Sequence, residues 1–393
     1  MPVLSSEKQS SSGSEPRLVI NTTDLYFPSQ DGGDNFDILA PYAMEEICQI
    51  LVVLDGNQHM RDPEAQKTDA FCRDPSGTAR DPGFIAIAQL DHLFARRTPW
   101  CVGPWTSLRD DTDDLRWIPS REQVGIEDFL AALRAVPTPV HITVFGSSRI
   151  LAASLNREPE LLRRKVAMVH FCGGAAGPAG SDFLEWNIGL DRYAARRLLA
   201  SDLPITLYPC ATEAGPFALG RHNGYWYLPE MAFLDRMHPR LRSYLTYQLA
   251  PSRRLDVLRA VEADPDPALL ATLKGRHHHV WETCVWLNIT GRKLVRRTDD
   301  SYRIVRAAEL RPDDAELPNL AVPCRVILRD GSRLCRTWPD QPPTVPDVGL
   351  FDWEPTSTPT NRWMYDRGDP VENQRALQEA LPELYASFRP AAD

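Results

Sequence analysis

The chain has 393 residues, 43% of them hydrophobic and 25% charged, with a formal net charge of −9 at pH 7. That length suits one large α/β domain with appendages, or two domains. The well-mixed charges give no ground for a nucleic-acid or membrane partner, and no stretch approaches the roughly 18 apolar residues of a membrane span.

The eight cysteines (Cys48, Cys72, Cys101, Cys172, Cys210, Cys284, Cys324, Cys335) contain no C-x-x-C pair, and several lie in apolar runs. This pattern predicts buried thiols in a reducing cytoplasm rather than a disulfide frame or a zinc site. No signal-peptide apolar region stands at the start, and residues 1–16, rich in serine, are expected to form a disordered tail.

The first ordered stretch is an apolar strand, Leu18-Val19-Ile20, which turns polar at Asn21-Thr22-Thr23-Asp24. A turn-rich segment with Asp31 and Gly32-Gly33 leads to Asp34, Asn35 and Asp37. From there a helical pattern runs with apolar Phe36, Leu39, Ala43 and Ile47. A second apolar run, Ile50 to Leu54, ends in Asp55-Gly56-Asn57. Strand, acidic loop, helix, strand is a βαβ unit with its carboxylates at the carboxyl end of the first strand, the edge where open α/β sheets take ligands.

Arg61 to Gly83 is a polar loop, Phe84 to Phe94 has helical spacing, and Pro99 to Gly103 is a short strand. Arg109 to Leu115 carries four aspartates and is expected to be a solvated loop rather than a second cation site. Gly125 to Val136 is an amphipathic helix, and Val140 to Phe145 a strand closed by Gly146-Ser147-Ser148, small polar residues able to cap a helix from Arg149 to Leu155. Val166 to Phe171 is a further strand, Asp191 to Ala200 a helix, and Pro204 to Tyr208 another strand. Such alternation predicts an open, largely parallel, Rossmann-like sheet with helices on both faces.

Past Cys210 the chain becomes rich in glycine and aromatic residues, with His222, Tyr225 and Tyr227, and later three consecutive histidines, His277 to His279. From residue 291 to 393 an extension is expected to pack on the main domain (17–290). A β-hairpin signal lies at Arg329-Asp330-Gly331-Ser332 between Cys324–Leu328 and Arg333–Trp338, followed by a Pro-rich connection from Pro342 to Thr360 and a terminal helix from Asp369 to Phe388.

Crowded carboxylates at Asp24, Asp31, Asp34 and Asp37 repel one another unless a positive group sits among them. A hard cation such as Ca²⁺, which takes six to eight oxygen ligands, is one answer. The other is turn chemistry, with acids acting as turn formers and a helix cap.

The ordered motifs resemble the inosine–uridine-preferring nucleoside hydrolases, over roughly Leu18 to Trp286. The resemblance rests on the acidic loop, Gly56-Asn57, Phe145-Gly146 before a helix, Val169 to Gly174 with Glu185-Trp186-Asn187, and an acid near the last strand. It implies hydrolysis of an N-glycosidic bond of a nucleoside or related riboside by a Ca²⁺-bound water. Asp24 or Asp31 would ligate the ion and take a proton from that water. Asp34 would serve metal and ribose, with Asn35, the Phe145 carbonyl and Glu282 as further ligands. Glu185, Asn187 and Asn57 would meet sugar hydroxyls or support the loop. His222, Tyr225 and Tyr227, or one of the three histidines, would serve the leaving base, and relatives of this kind are often homo-oligomers.

Three departures from the family pattern stand out. About ten residues separate Thr23 from Asp34 where the family loop is compact. Asn35 stands where a second ligating carboxylate is expected, and Glu282 replaces an aspartate. Asn35, Glu282 and the long tail favour an alternative in which the same fold binds a sugar-bearing ligand or partner without turnover. A serine hydrolase is disfavoured, because Phe145-Gly146-Ser147-Ser148-Arg149 lacks the second glycine of G-x-S-x-G.

Overall fold

The computed structural model describes residues 15–27, 29, 31–56, 81–176, 185–212, 214–249, 254–328 and 351–391. Nine strands form the central sheet: β1 (Arg17–Thr23), β2 (Ile47–Leu54), β3 (Trp100–Val102), β4 (Val140–Phe145), β5 (Val166–Cys172), β6 (Ile205–Tyr208), β7 (Leu320–Leu328), β8 (Phe351–Pro355) and β9 (Arg362–Asp366). Their spatial order is β8-β7-β9-β6-β5-β4-β1-β2-β3. Every pairing is parallel except those of β7, which runs antiparallel to both neighbours. The expected open, largely parallel α/β sheet is the one observed.

The strands are apolar runs because both faces of the sheet are covered. Successive residues go to opposite cores: Val19, Val52 and Leu54 join one buried cluster, while Ile20, Leu51 and Val53 join the other. β2 begins three residues earlier than its apolar run suggests. The helix Gly32–Ala43 contains Pro41 near its end and stops at Met44, so Ile47 opens the strand instead of closing the helix.

Parallel register sets the level of the functional loops. Thr23 lies opposite both Leu54 and Phe145, so the residues that follow, Asp24, Asp55 and Gly146, leave the sheet side by side. The chain moves to one side of β1 for β2 and to the other for β4. This places a topological switch point at the carboxyl end of β1, where a ligand crevice is expected in such sheets.

Residues beyond 290 continue this sheet. β9 pairs with β6 and brings β7 and β8 with it, while the helix Pro370–Ser387, capped by Asp369, packs on strands Lys293–Arg296 and Tyr302–Val305. The hairpin turn expected at Arg329–Ser332, and the strand Arg333–Trp338, lie outside the described residues. The described partner of Cys324–Leu328 is β8, a strand inside the stretch read as a Pro-rich connection. Its prolines permit this because Pro355 ends the strand at the sheet's edge.

The aspartate-rich loop is also more ordered than its composition suggests. Asp113 turns inward and accepts from the backbone N–H groups of Arg109 and Leu115 and from the Trp117 indole. Among the described residues no helix is long and apolar enough to cross a membrane.

Candidate active site

The carboxyl edge gathers more buried acid than any other part of the described structure. Asp24, directly after β1, is half-buried, and the Trp186 indole Nε1 donates to its Oδ2 at 3.0 Å. Gly146 leaves room for it: a Cβ there would stand 2.9 Å from the Asp24 Cβ and N. Asp31 caps the helix Gly32–Ala43, accepting from Gly33 N at 2.7 Å. Asp34 and Asp37 follow within the first turns of the same helix, and Glu282 precedes the helix Thr283–Thr290 and accepts from Trp281 N at 3.1 Å.

Burial dominates the electrostatics. It pushes Asp24, Asp34 and Asp37 well above the ordinary carboxylate range, and their strongest charged neighbours are other carboxylates, which add to the shift. Asp31 is raised to about 6, by burial against the help of the Gly33 N–H. Glu282 is raised to about 7, by burial first and Asp31 next. Asp37 and Glu282 face each other closely enough to share a proton, and among the described residues no other N–H or O–H reaches Asp37 Oδ2.

Beside this cluster, Asp55 closes β2 and accepts from Ser147 N at 2.9 Å, with the Arg149 guanidinium opposing the burial that raises it. Arg149 is itself buried and ties the rim together: Nε donates to Asp191 Oδ2 at 2.9 Å, Nη1 to the Pro104 carbonyl at 2.8 Å and Nη2 to the Leu190 carbonyl at 2.7 Å. Neither Asp55 nor Arg149 stood out in the sequence. Their only signal was position, each directly beyond a strand or a small-residue turn at the carboxyl edge.

A cleft of about 290 Å³ opens on the cluster, lined among others by Asp31, Gly32, Phe217, Arg276, His279 and Trp281. Its wall is a ladder of rings. Tyr225 stacks with Tyr227 (6.4 Å) and His279 (5.9 Å), while Phe217 leans on Tyr225, His279 and Trp281 at 6.0, 5.0 and 5.9 Å. The short ribbon pairing Trp226–Leu228 with His278–Val280 holds this wall in register. Asp31 and Gly32 belong to the cleft and to the acidic helix start at once, so the two halves meet there.

No protein-family model matches the sequence, and no curated protein matches it. Solved structures do. A purine-preferring ribonucleoside hydrolase from Gardnerella vaginalis superposes with a TM-score of 0.51 at 12% identity, covering 94% of this chain and 99% of its own. The fold is that of the nucleoside hydrolases. A plant nucleoside hydrolase gives 0.48 at 16% identity, covering 93% and 98%. An inosine–uridine-preferring nucleoside hydrolase from Bacillus anthracis gives 0.40 at 12%, covering 93% and 100%. At such identities it is the fold that is shared.

On this nucleoside-hydrolase fold the residues singled out from sequence separate into groups. Asp24, Asp31, Asp34 and Glu282 come together. Asn35 points elsewhere, its Nδ2 donating to Ser29 Oγ at 2.9 Å and its Oδ1 accepting from Tyr244 at 3.4 Å. The Phe145 carbonyl accepts from Asp24 N at 3.4 Å. Glu185 is buried beside the rim, but its carboxylate caps the helix Trp186–Leu190, accepting from Gly174 N, Asn187 N and Ile188 N at 2.8, 3.0 and 3.1 Å. Asn187 donates to the Cys172 carbonyl at 3.0 Å. His222 donates from Nδ1 to the Tyr365 carbonyl at 2.9 Å and meets Trp353 edge-on, which ties it to β8 and β9. Tyr225 belongs to the ring ladder, and Asn57 lies outside the described residues.

The fit to Ca²⁺ divides. Buried, oxygen-only donors without a neighbouring cation are the chemistry a hard cation takes. Yet among the described residues no three His, Cys, Asp or Glu side chains are gathered as a metal ion would need. Asn35, expected as a ligand, is committed to Ser29 and Tyr244. As arranged, these side chains do not form a Ca²⁺ site.

Proposed function

We propose that the chain binds a nucleoside or related riboside at this edge and cleaves its N-glycosidic bond by water. The observation that carries the reading is the junction at Asp31, where a buried acidic floor meets a cleft walled by aromatic and imidazole rings. The two halves match what the bond needs. As the base departs, positive charge grows on the sugar, and ionised carboxylates beneath it lower that charge's energy. The stacked rings hold the departing base.

In this scheme Asp24 or Asp31 takes a proton from the attacking water, the new C–O bond forms at the anomeric carbon, and the C–N bond breaks. Its electron pair leaves with the base, which takes a proton from solvent water while the His279 N–H hydrogen-bonds to it, and the proton held by the aspartate returns to solvent. No step is assigned to a metal ion. The test is release of base from a panel of ribosides, with and without Ca²⁺, for the wild type and for Asp34→Ala. Loss of release in the variant supports the reading. Release at the wild-type rate in Asp34→Ala, or no release from any riboside, refutes it.

A second reading, binding without turnover, is favoured by two commitments: Asn35 is held by Ser29 and Tyr244, and the Glu185 carboxylate is used by three backbone N–H groups. Ligand-induced thermal shifts without base release would select it.

A further inference from the structure

The cleft's size and polarity say which kind of leaving group it takes. Its volume, about 290 Å³, sits at the lower end of ligand pockets, so it admits one ring system and small substituents. Phe217, His279 and Trp281 pack on one another with tilted rings, at centroid distances of 5.0, 5.9 and 6.4 Å, and form one aromatic wall for a flat ring to lie against.

The polar groups of the cleft are distributed unevenly. The single carboxylate, Asp31, lies at the end shared with the acidic floor and is engaged with Gly33 N. Along the remainder stand Arg276, His277 and His279. Arg276 is anchored at the rim, its Nη1 donating to the carbonyl of Leu249, itself a lining residue, at 2.9 Å. The Tyr225 hydroxyl lies 2.9 Å from His279 Nδ1. Burial raises that phenol to about 12, so it stays protonated, and where it donates to Nδ1 the His279 proton stands on Nε2. Burial and the neighbouring His277 lower the affinity of His279 for a second proton, so it is a neutral N–H donor at pH 7. The indole N–H of Trp281 is spent on the Cys210 and Pro216 carbonyls. Away from Asp31 the cleft thus offers donors and one permanent positive charge.

Resting on the hydrolase reading above, we infer that the leaving base is a heteroaromatic ring bearing a carboxylate, of the pyridine- or pyrimidine-carboxylate type. The ring lies against the wall of Phe217, His279 and Trp281, and its carboxylate meets the Arg276 guanidinium. A base with an exocyclic amine in that position would set donor against donor. A neutral carboxamide of the same shape would keep the stacking and lose the charge-assisted contact.

Binding of the free bases tests this without requiring turnover. Nicotinate, nicotinamide, orotate and uracil are titrated into the full chain by calorimetry, for the wild type and for Arg276→Gln, an exposed position where substitution leaves the fold intact. Nicotinate is expected to bind about tenfold tighter than nicotinamide, and orotate than uracil. Both preferences should disappear in Arg276→Gln and shrink in high salt. Equal binding of acid and amide, a preference unchanged in Arg276→Gln, or no binding of any base overturns the inference. Preferential binding of the acids without hydrolysis of their ribosides leaves the inference standing and removes the hydrolase reading instead.

Discussion

Replacing Asp34 by asparagine separates charge from packing at the acidic floor. Asp34 is surrounded by Asp24, Asp31, Glu282 and Asp37, and burial together with those charges holds its carboxyl well above the usual range. A carboxyl raised by folding carries more protons in the folded than in the unfolded chain. Its stabilisation is therefore complete below the unfolded value and lost as pH rises through the folded one. Here that window runs from the ordinary values of 3.8 and 4.5 up to about 6 for Asp31 and about 7 for Glu282. One pKa unit corresponds to about 1.4 kcal/mol, so the rise at Glu282 alone forfeits about 3 kcal/mol between pH 4 and pH 8. Because that window opens at 3.8, removing the Asp34 carboxyl should stabilise the protein by ~1–2 kcal/mol more at pH 8 than at pH 4, near the start of the window. For a chain of this size that is a rise in Tm roughly 1–2 °C larger at pH 8 than at pH 4. Thermal unfolding in a chelating buffer, comparing variant with wild type at both pH values, reads it directly. If Asp34→Asn lowers Tm equally at pH 4 and pH 8, the side chain is held by packing and the electrostatic account is wrong.

Three other substitutions probe the supports of the site. Trp186→Phe keeps a ring but loses the N–H on Asp24 Oδ2, so riboside or ribose affinity should fall about tenfold while Tm changes little, and unchanged affinity in a binding assay counts against Asp24 as a contact. Gly174→Ala forces a side chain onto a backbone with φ of 84° and to within 2.6 Å of Phe351 Cε1, so it should cost ~1–3 kcal/mol in urea unfolding and loosen the Glu185 cap fed by Gly174 N. Arg192, only 4% exposed, has Nε and Nη2 buried without a hydrogen-bond partner among the described residues, so Arg192→Met should stabilise the protein by ~1–3 kcal/mol, and a destabilised variant would show that the charge is compensated.

How much of this was legible in the sequence depended on the distance over which residues act together. Apolar runs at Val140–Phe145 and Val166–Phe171 coincide with β4 and β5 to within a residue, because a strand covered on both faces must be apolar throughout. The helix Ser120–Ala135, by contrast, starts five residues before its amphipathic pattern, in the polar first turn after Pro119. Asp24, Asp31 and Asp34 could be found because a strand's carboxyl end is a local feature, visible wherever an apolar run turns polar. β8 could not, since Phe351–Pro355 earns its place only by pairing with β7.

The harder distinction lay among polar residues of like appearance. Glu185 and Glu282 each precede a helix and are each buried, and nothing local separates a carboxylate that caps from one that is left over. The backbone decides: three N–H groups of other residues converge on Glu185, whereas Glu282 is met by the N–H groups of Trp281 and of itself and otherwise faces Asp37. The same holds for the rings. His222 and His279 looked equivalent as loop histidines, but β9 takes the first through the Tyr365 carbonyl, and the pairing of Trp226–Leu228 with His278–Val280 delivers the second to the cleft. Burial without matching donors is therefore the physical mark that sets Asp34, Asp37 and Glu282 apart from the acids that merely hold the fold. It is also the reason the acidic floor, rather than the glutamate of the Glu-Trp-Asn triplet, is the part of this edge with free-energy capacity to stabilise a positively charged sugar.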